Sequence, residues 1–234
     1  MSSVQTMHYA NKHAKDYFGS LGVSYFTLIV NQTSKLYDIV KNQQSSALTK
    51  TSGSALTMLK FPSTISFTLN AIYQKDPLDK ASFSLNAVRS SLGAASFVVQ
   101  NYFKKAAKAL PAMDFIAEVA DTTAEGIELY QAVNEKDEAK GKLKSEKLTT
   151  TQIISQKQKK TSCTIAIVSK VLAVFVGLAS IFAIVFNVAV LPASIACVLT
   201  IASLSLGMVR HFYDGINAQE CAAKLKQQKA EKIS

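Results

Sequence analysis

Little in this chain of 234 residues points to chemistry. Cysteine is scarce: Cys163, Cys197 and Cys221 are too few and too scattered for a disulfide framework or a zinc site. Histidine is as scarce: His8 and His13 sit in a polar terminus expected to be disordered and His211 at an expected membrane edge, so they do not combine into a metal centre or a catalytic triad. Gly19 and Gly22 are followed by no Gly-Lys-Ser/Thr, which excludes a phosphate loop. Asp114, Glu118, Asp121, Glu125 and Glu128 recur at three- and four-residue spacing, but no histidine joins them as in Glu-x-x-His carboxylate sites, so a solvated helix face is expected. No catalytic, cofactor-binding or metal-binding residue is assigned, and an enzymatic reading has no residue to stand on. No repeat with a period of 20 to 50 residues is visible. The pI near 9.4 is not assigned to nucleic-acid binding, because the basic residues form no recognisable reader motif. Tyr17 to Val30 is apolar enough to suggest a signal-peptide core, but it lacks a cleavage site and is diluted by glycine and hydroxyl residues. Without a secretory signal, the sequon Asn31-Gln32-Thr33 carries little meaning.

The most informative absence is of charge. From Val171 to Val209 no charged residue occurs, and about 20 apolar residues suffice to cross a bilayer once. Asn187 and Pro192 interrupt this run near its middle, which predicts a helical hairpin with two spans. The first arm, Cys163 to Phe186, holds enough Val, Ile, Leu and Phe for an insertion free energy of about −4 to −8 kcal/mol as an upper bound. Lys170 opposes insertion by at most about 3.5 kcal/mol, and its long stem is expected to snorkel to the headgroups. The second arm, Leu191 to Val209, is diluted by small residues, inserts on about −3 to −5 kcal/mol, and is expected to depend on its partner. The hairpin residues assigned to the membrane are Val171, Phe175, Ile181, Phe186, Asn187, Pro192, Leu199 and Leu204. The competing structural reading is a hairpin buried inside a soluble bundle.

Both flanks of this run are basic. To Asn134, 12 Lys or Arg face 9 Asp or Glu, a net of +3; from Glu135 onward 14 face 7, a net of +7. The positive-inside rule then places both ends on one cytoplasm-like face of a multi-pass membrane protein. Before the hairpin the pattern is helical, giving an all-α fold: an N-terminal helical bundle followed by a transmembrane helical hairpin. Residues 1–16 are polar and expected to be disordered. The bundle spans 17–134, with Gln43 to Gly53 as a turn, a helix from Ala55 broken at Pro62, and an N-cap at Asp76-Pro77. A heptad row in the next helix, which Pro111 is expected to end, offers Leu85, Val88, Leu92 and Val99 as a candidate partner surface. Residues 135–160 are a polar linker or helix extension, 161–210 the bilobed hairpin, and 211–234 a basic helical tail. Cys221, close after the second arm, reads as an ordinary surface thiol rather than an acylation site.

Two closely spaced apolar lobes with NVAVLP between them, cationic flanks and a serine-rich start, MSSVQT, resemble the chlamydial inclusion membrane proteins. That resemblance covers about Thr161 to Tyr213 and the amino end. It implies type III secretion, insertion into a host vacuole membrane, both termini in host cytosol, and recruitment of a host protein by the helical domain. The lobes lie near the carboxyl end, so any recruiting surface is expected in the preceding bundle. The function expected is a membrane-anchored interaction protein whose partners are membrane lipids and a protein, with homo-oligomerisation left open and no cofactor. The alternative is a membrane-shaping or membrane-inserting protein resembling peroxin 11-like or pore-forming hairpin proteins, with amphipathic helices lying on lipid.

Overall fold

A computed structural model describes residues 22–145 and 148–231. The expected disordered segment 1–16 lies outside the described residues. The described residues form six α-helices and one 3-10 turn: α1 Gly22–Val40, α2 Ala47–Tyr73, α3 Pro77–Tyr102, the 3-10 turn Lys104–Ala109, α4 Leu110–Ser145, α5 Thr150–Phe186 and α6 Ala193–Glu231.

Each boundary has a local cause. Asn42, at φ 51°, takes the left-handed conformation after α1. The N–H groups of Gln43 and Asn42 then donate to the carbonyls of Asp38 and Ile39, a double closure that satisfies the helix end. Ser46 caps α2 by accepting from the Thr49 N–H. The segment 43–53 is therefore a turn only as far as Ser46, since its serines and threonines serve the cap instead of extending the loop. Nor does Pro62 break α2: the helix runs through it, at the loss of the single bond the missing N–H would have made. Asp76 caps α3 as expected, accepting from the N–H groups of Leu78 and Asp79 at 2.9 and 3.1 Å, with Pro77 opening the helix. The heptad row stops short of the predicted end. α3 closes at Tyr102, a 3-10 turn follows, and Pro111 lies in the first turn of α4, where its lacking N–H costs nothing.

Thr149 and Gln152 form a reciprocal capping box at the start of α5. Asn187, again left-handed at φ 51°, ends that helix, and α6 begins just after Pro192. The polar segment 135–160 is thus largely helical, shared between the end of α4 and the start of α5.

Helices that follow one another in sequence pack together throughout, and α6 returns to pack on α1. What lies between them is made largely of small residues. Among the described residues the buried apolar ones are alanines and cysteines, including Ala94, Ala120, Ala124, Ala166 and Cys197, and Cys163 is the largest side chain wholly enclosed. Buried serines and threonines such as Ser82, Ser90, Thr122, Ser169 and Ser203 share that interior. Large apolar side chains, by contrast, are exposed on all six helices. Small residues inside let backbones approach closely, which is how helices associate where no water drives burial.

Candidate functional site: the apolar hairpin and its polar clasp

α5 and α6 are both long and apolar enough to cross a membrane. They pack as an antiparallel hairpin whose register is fixed by small polar residues. Ser169 Oγ donates to the Ser203 carbonyl at 2.8 Å, and Ser203 Oγ returns the bond to the Ser169 carbonyl at 2.9 Å. Further from the tip, Arg210 Nε donates to Ser162 Oγ and Gln158 Nε2 to Asn217 Oδ1, so the two helices stay paired well past the apolar segment.

The outer face of this hairpin is bare. Only 17 % of the most apolar stretch of α5 and 11 % of that of α6 is buried. A hairpin serving as the core of a soluble bundle would be enclosed on most sides. Among the assigned hairpin residues, Val171, Phe175, Phe186, Asn187 and Pro192 are exposed, while Ile181, Leu199 and Leu204 are half-buried. Phe182 and Phe186 stack one turn apart at 5.7 Å near the tip.

One face of α5 is covered, and by a charged helix. α4 runs antiparallel along it. Lys170 does not snorkel: its ammonium pairs with Glu125 at 2.8 Å and with Glu128, and its side chain is 15 % exposed. Nearer the tip, Gly177 lies against Thr122, where an added Cβ would overlap the Thr122 hydroxyl and come within 3.1 Å of Thr122 Cβ. Ser180 faces Glu118. Toward the other end, the Lys159 ammonium sits 3.6 and 3.8 Å from carboxylate oxygens of Glu135 and Glu138. The acidic residues of α4 are therefore not simply a solvated face. Glu118, Glu125 and Glu128 turn toward α5, and Asp121 turns toward α3, where it pairs with Arg89 at 2.7 Å. Spacing along one helix cannot reveal this, since the cations that select the face come from α3 and α5.

Between α2, α3 and α4 lies a cavity of about 350 Å³, lined by Lys60, Arg89, Ser96, Asp114, Glu118 and Asp121 among others. Lys60 lays its stem across Gly93, which has no side chain to exclude it. A second hollow of about 360 Å³ opens over the basic end of the hairpin, between Glu135, Lys159, Cys163, Arg210 and Asp214. Among the described residues no cluster of His, Cys, Asp and Glu is suited to a metal ion. Of the candidate partner surface, Val88 is exposed, whereas Leu85, Leu92 and Val99 are half-buried within the bundle.

Two groups outside the apolar segments have clear electrostatic signatures. Asp38 is held below the ordinary carboxylate range by the Ser46 N–H at 2.9 Å and the Thr49 hydroxyl at 2.7 Å. Glu138 is lowered by its hydrogen bond to Lys142, by the charge of that lysine, and by Lys159.

No protein-family model, no curated protein and no solved structure matches this chain.

Proposed function

We propose that this protein is a membrane-anchored interaction protein. Its hairpin, α5 and α6 around Asn187–Pro192, sits in a bilayer, and its basic ends emerge together on one face. The observation that carries this reading is the bare outer surface of two long helices that hold no charge between Lys170 and Arg210. Burying such a surface in hydrocarbon removes the cost of its hydration. The charges that must enter the apolar zone with the hairpin have partners already, as intramembrane charges require.

Where the hairpin leaves the apolar zone, α4 from Asn134, α5 before Cys163 and α6 from Arg210 continue as charged helices. These extensions, with the hollow around Glu135, Lys159 and Arg210, are the surface offered to a protein partner. On the resemblance to chlamydial inclusion membrane proteins, that partner is a host protein, the membrane is that of the vacuole, and export is by type III secretion. A membrane-shaping role is the second reading, favoured by the apolar residues Met58, Phe61 and Ile65 exposed on α2.

Reconstitution of the full chain with a tag at each end into sealed vesicles tests the anchor. Protease added outside is expected to remove both tags or neither within a single orientation. A monomer soluble without detergent, or tags on opposite faces, overturns it.

A further inference from the structure

The contacts between helices set a common height scale across the molecule. At one level Phe67 of α2 meets Phe83 of α3 at 6.4 Å, Ser82 of α3 bonds Glu128 of α4, Glu128 pairs with Lys170 of α5, and Ser169 of α5 bonds Ser203 of α6. Nearer the tip, Lys60 crosses Gly93, Arg89 pairs with Asp121, and Thr122 meets Gly177. α2, α3 and the first half of α4 therefore lie beside the apolar hairpin and not above it. The zone they share, marked on α5 by residues 165–186, is about 33 Å tall at 1.5 Å per residue. A bilayer's hydrocarbon core is about 30 Å.

Three further observations concern what this zone shows to its surroundings. On α2, Met58, Phe61, Ile65, Leu69 and Ile72 fall at three- and four-residue spacing and are all exposed. Ile116 and Val119 are exposed on α4 at heights matched to the upper part of α5. No charge occurs from Phe61 to Gln74; Lys75, Asp76 and Lys80 follow at one edge of the zone, the lysines of the Lys104–Ala109 turn stand at the tip end, and Lys60, just before this run, turns into the cavity between α2, α3 and α4. Within the zone, Arg89, Asp121, Glu125, Glu128 and Lys170 are paired between helices, while Asp114 and Glu118, with Lys60, line the cavity between α2, α3 and α4.

From this we infer that α2, with the first half of α4, faces lipid acyl chains alongside the hairpin, so that the N-terminal bundle is itself embedded in the bilayer. The occupant is lipid because the apolar stripe of α2 shares its height with those of α5 and α6. A bilayer covers all of them at once, whereas a docked protein would leave the others bare. The inference rests on the proposed insertion of the hairpin and alters which part of the chain is displayed: the charged extensions, with the bundle at membrane depth.

Depth-dependent quenching tests it in the full chain. Cys163, Cys197 and Cys221 are replaced by alanine, and single cysteines are introduced as Ile65→Cys on α2, Val198→Cys on α6 and Lys140→Cys on the charged extension of α4. Each variant carries an environment-sensitive fluorophore in phosphatidylcholine vesicles that contain acyl-chain-brominated lipid. The expected result is fluorescence loss at position 65 as strong as at 198, with position 140 unquenched. Quenching at 198 with 65 as silent as 140 overturns the inference and leaves the anchored hairpin standing. Silence at both 65 and 198 overturns the hairpin reading, and this inference with it. As a second readout, an apolar carbene precursor dissolved in the bilayer and activated around the unsubstituted chain is expected to label residues 61–74. Label confined to 163–209 overturns the inference independently of any substitution.

Discussion

Removing the ammonium of Lys170 would leave Glu125 and Glu128 facing each other with no cation between them. Lys170→Ala is therefore expected to destabilise the protein by about 3 kcal/mol, the lower part of the range for breaking a buried ion pair. Denaturation in detergent micelles reads this loss. Lys170→Met combined with Glu125→Gln and Glu128→Gln is expected to recover most of it, because no unpaired charge then remains. If the single variant is as stable as the parent, the clasp contributes nothing. Gly177 imposes a different constraint, of space rather than charge. Its missing Cβ is what lets Thr122 approach α5, so Gly177→Ala is expected to cost about 1 to 3 kcal/mol by overpacking. The double variant with Thr122→Ala is expected to be less destabilised than the sum of the two single changes, measured in the same micelles. Lys170 was visible in the sequence as the one charge within the apolar arm. The α4 partners of Lys170 and Gly177 were not, because nothing in linear order pairs position 122 with 177 or 125 with 170.

At the scale of elements, the corner between α1 and α2 depends on one carboxylate. Asp38 receives the Ser46 N–H and the Thr49 hydroxyl, while Asn31 donates to the Thr49 carbonyl at 3.1 Å and to Ser52 Oγ at 3.0 Å. Because the folded carboxyl titrates below its unfolded value of about 3.9, its contribution is full above that pH and is lost as pH falls toward the folded pKa. Protection against hydrogen exchange in 38–52, taken relative to the intrinsic rate at each pH, is expected to fall below about pH 4, and Asp38→Asn is expected to lower protection there at neutral pH and remove most of its acid dependence. An unchanged exchange profile in that variant would show that the corner is held by something else. Along the hairpin, the reciprocal bonds of Ser169 and Ser203 set how closely α5 and α6 approach. Ser203→Ala is expected to cost only about 0.6 kcal/mol, the average for such bonds between membrane helices. Ser203→Leu is expected to cost more, by forcing the backbones apart, and thermal unfolding of the two variants separates the effect of the bond from that of size. The caps at Asp76 and Asn187 were legible because capping is local chemistry. The run of α2 through Pro62 was not, since neighbours on α1 and α3 hold a helix that local propensity alone would interrupt.

For the whole molecule, the uneven placement of a +10 charge matters more than its size. Lys157 and Lys160 precede the apolar arm, and on the proposed topology they lie on the cytoplasm-like side, where a basic residue near an anionic leaflet adds about 1 kcal/mol of attraction. Vesicles containing phosphatidylserine are expected to bind the full chain more tightly than vesicles of phosphatidylcholine alone. The difference should shrink with added salt and with Lys157→Gln and Lys160→Gln, as flotation at several salt concentrations would measure. Equal binding to both membranes at low salt would remove charge from the account of orientation. The sequence by itself determined that the fold is helical and that two arms of sufficient length turn back at Asn187–Pro192, because span length and turn residues are properties of linear order. Only the tertiary structure decided what lies beside those arms: a bundle in which Arg89–Asp121 and Lys170–Glu125 pair across helix boundaries and large apolar side chains are exposed on every helix. That choice depends on which helix faces meet, and burying alanine and serine between helices, with Arg89–Asp121 and Lys170–Glu125 paired across helix boundaries, leaves large apolar side chains on the outside.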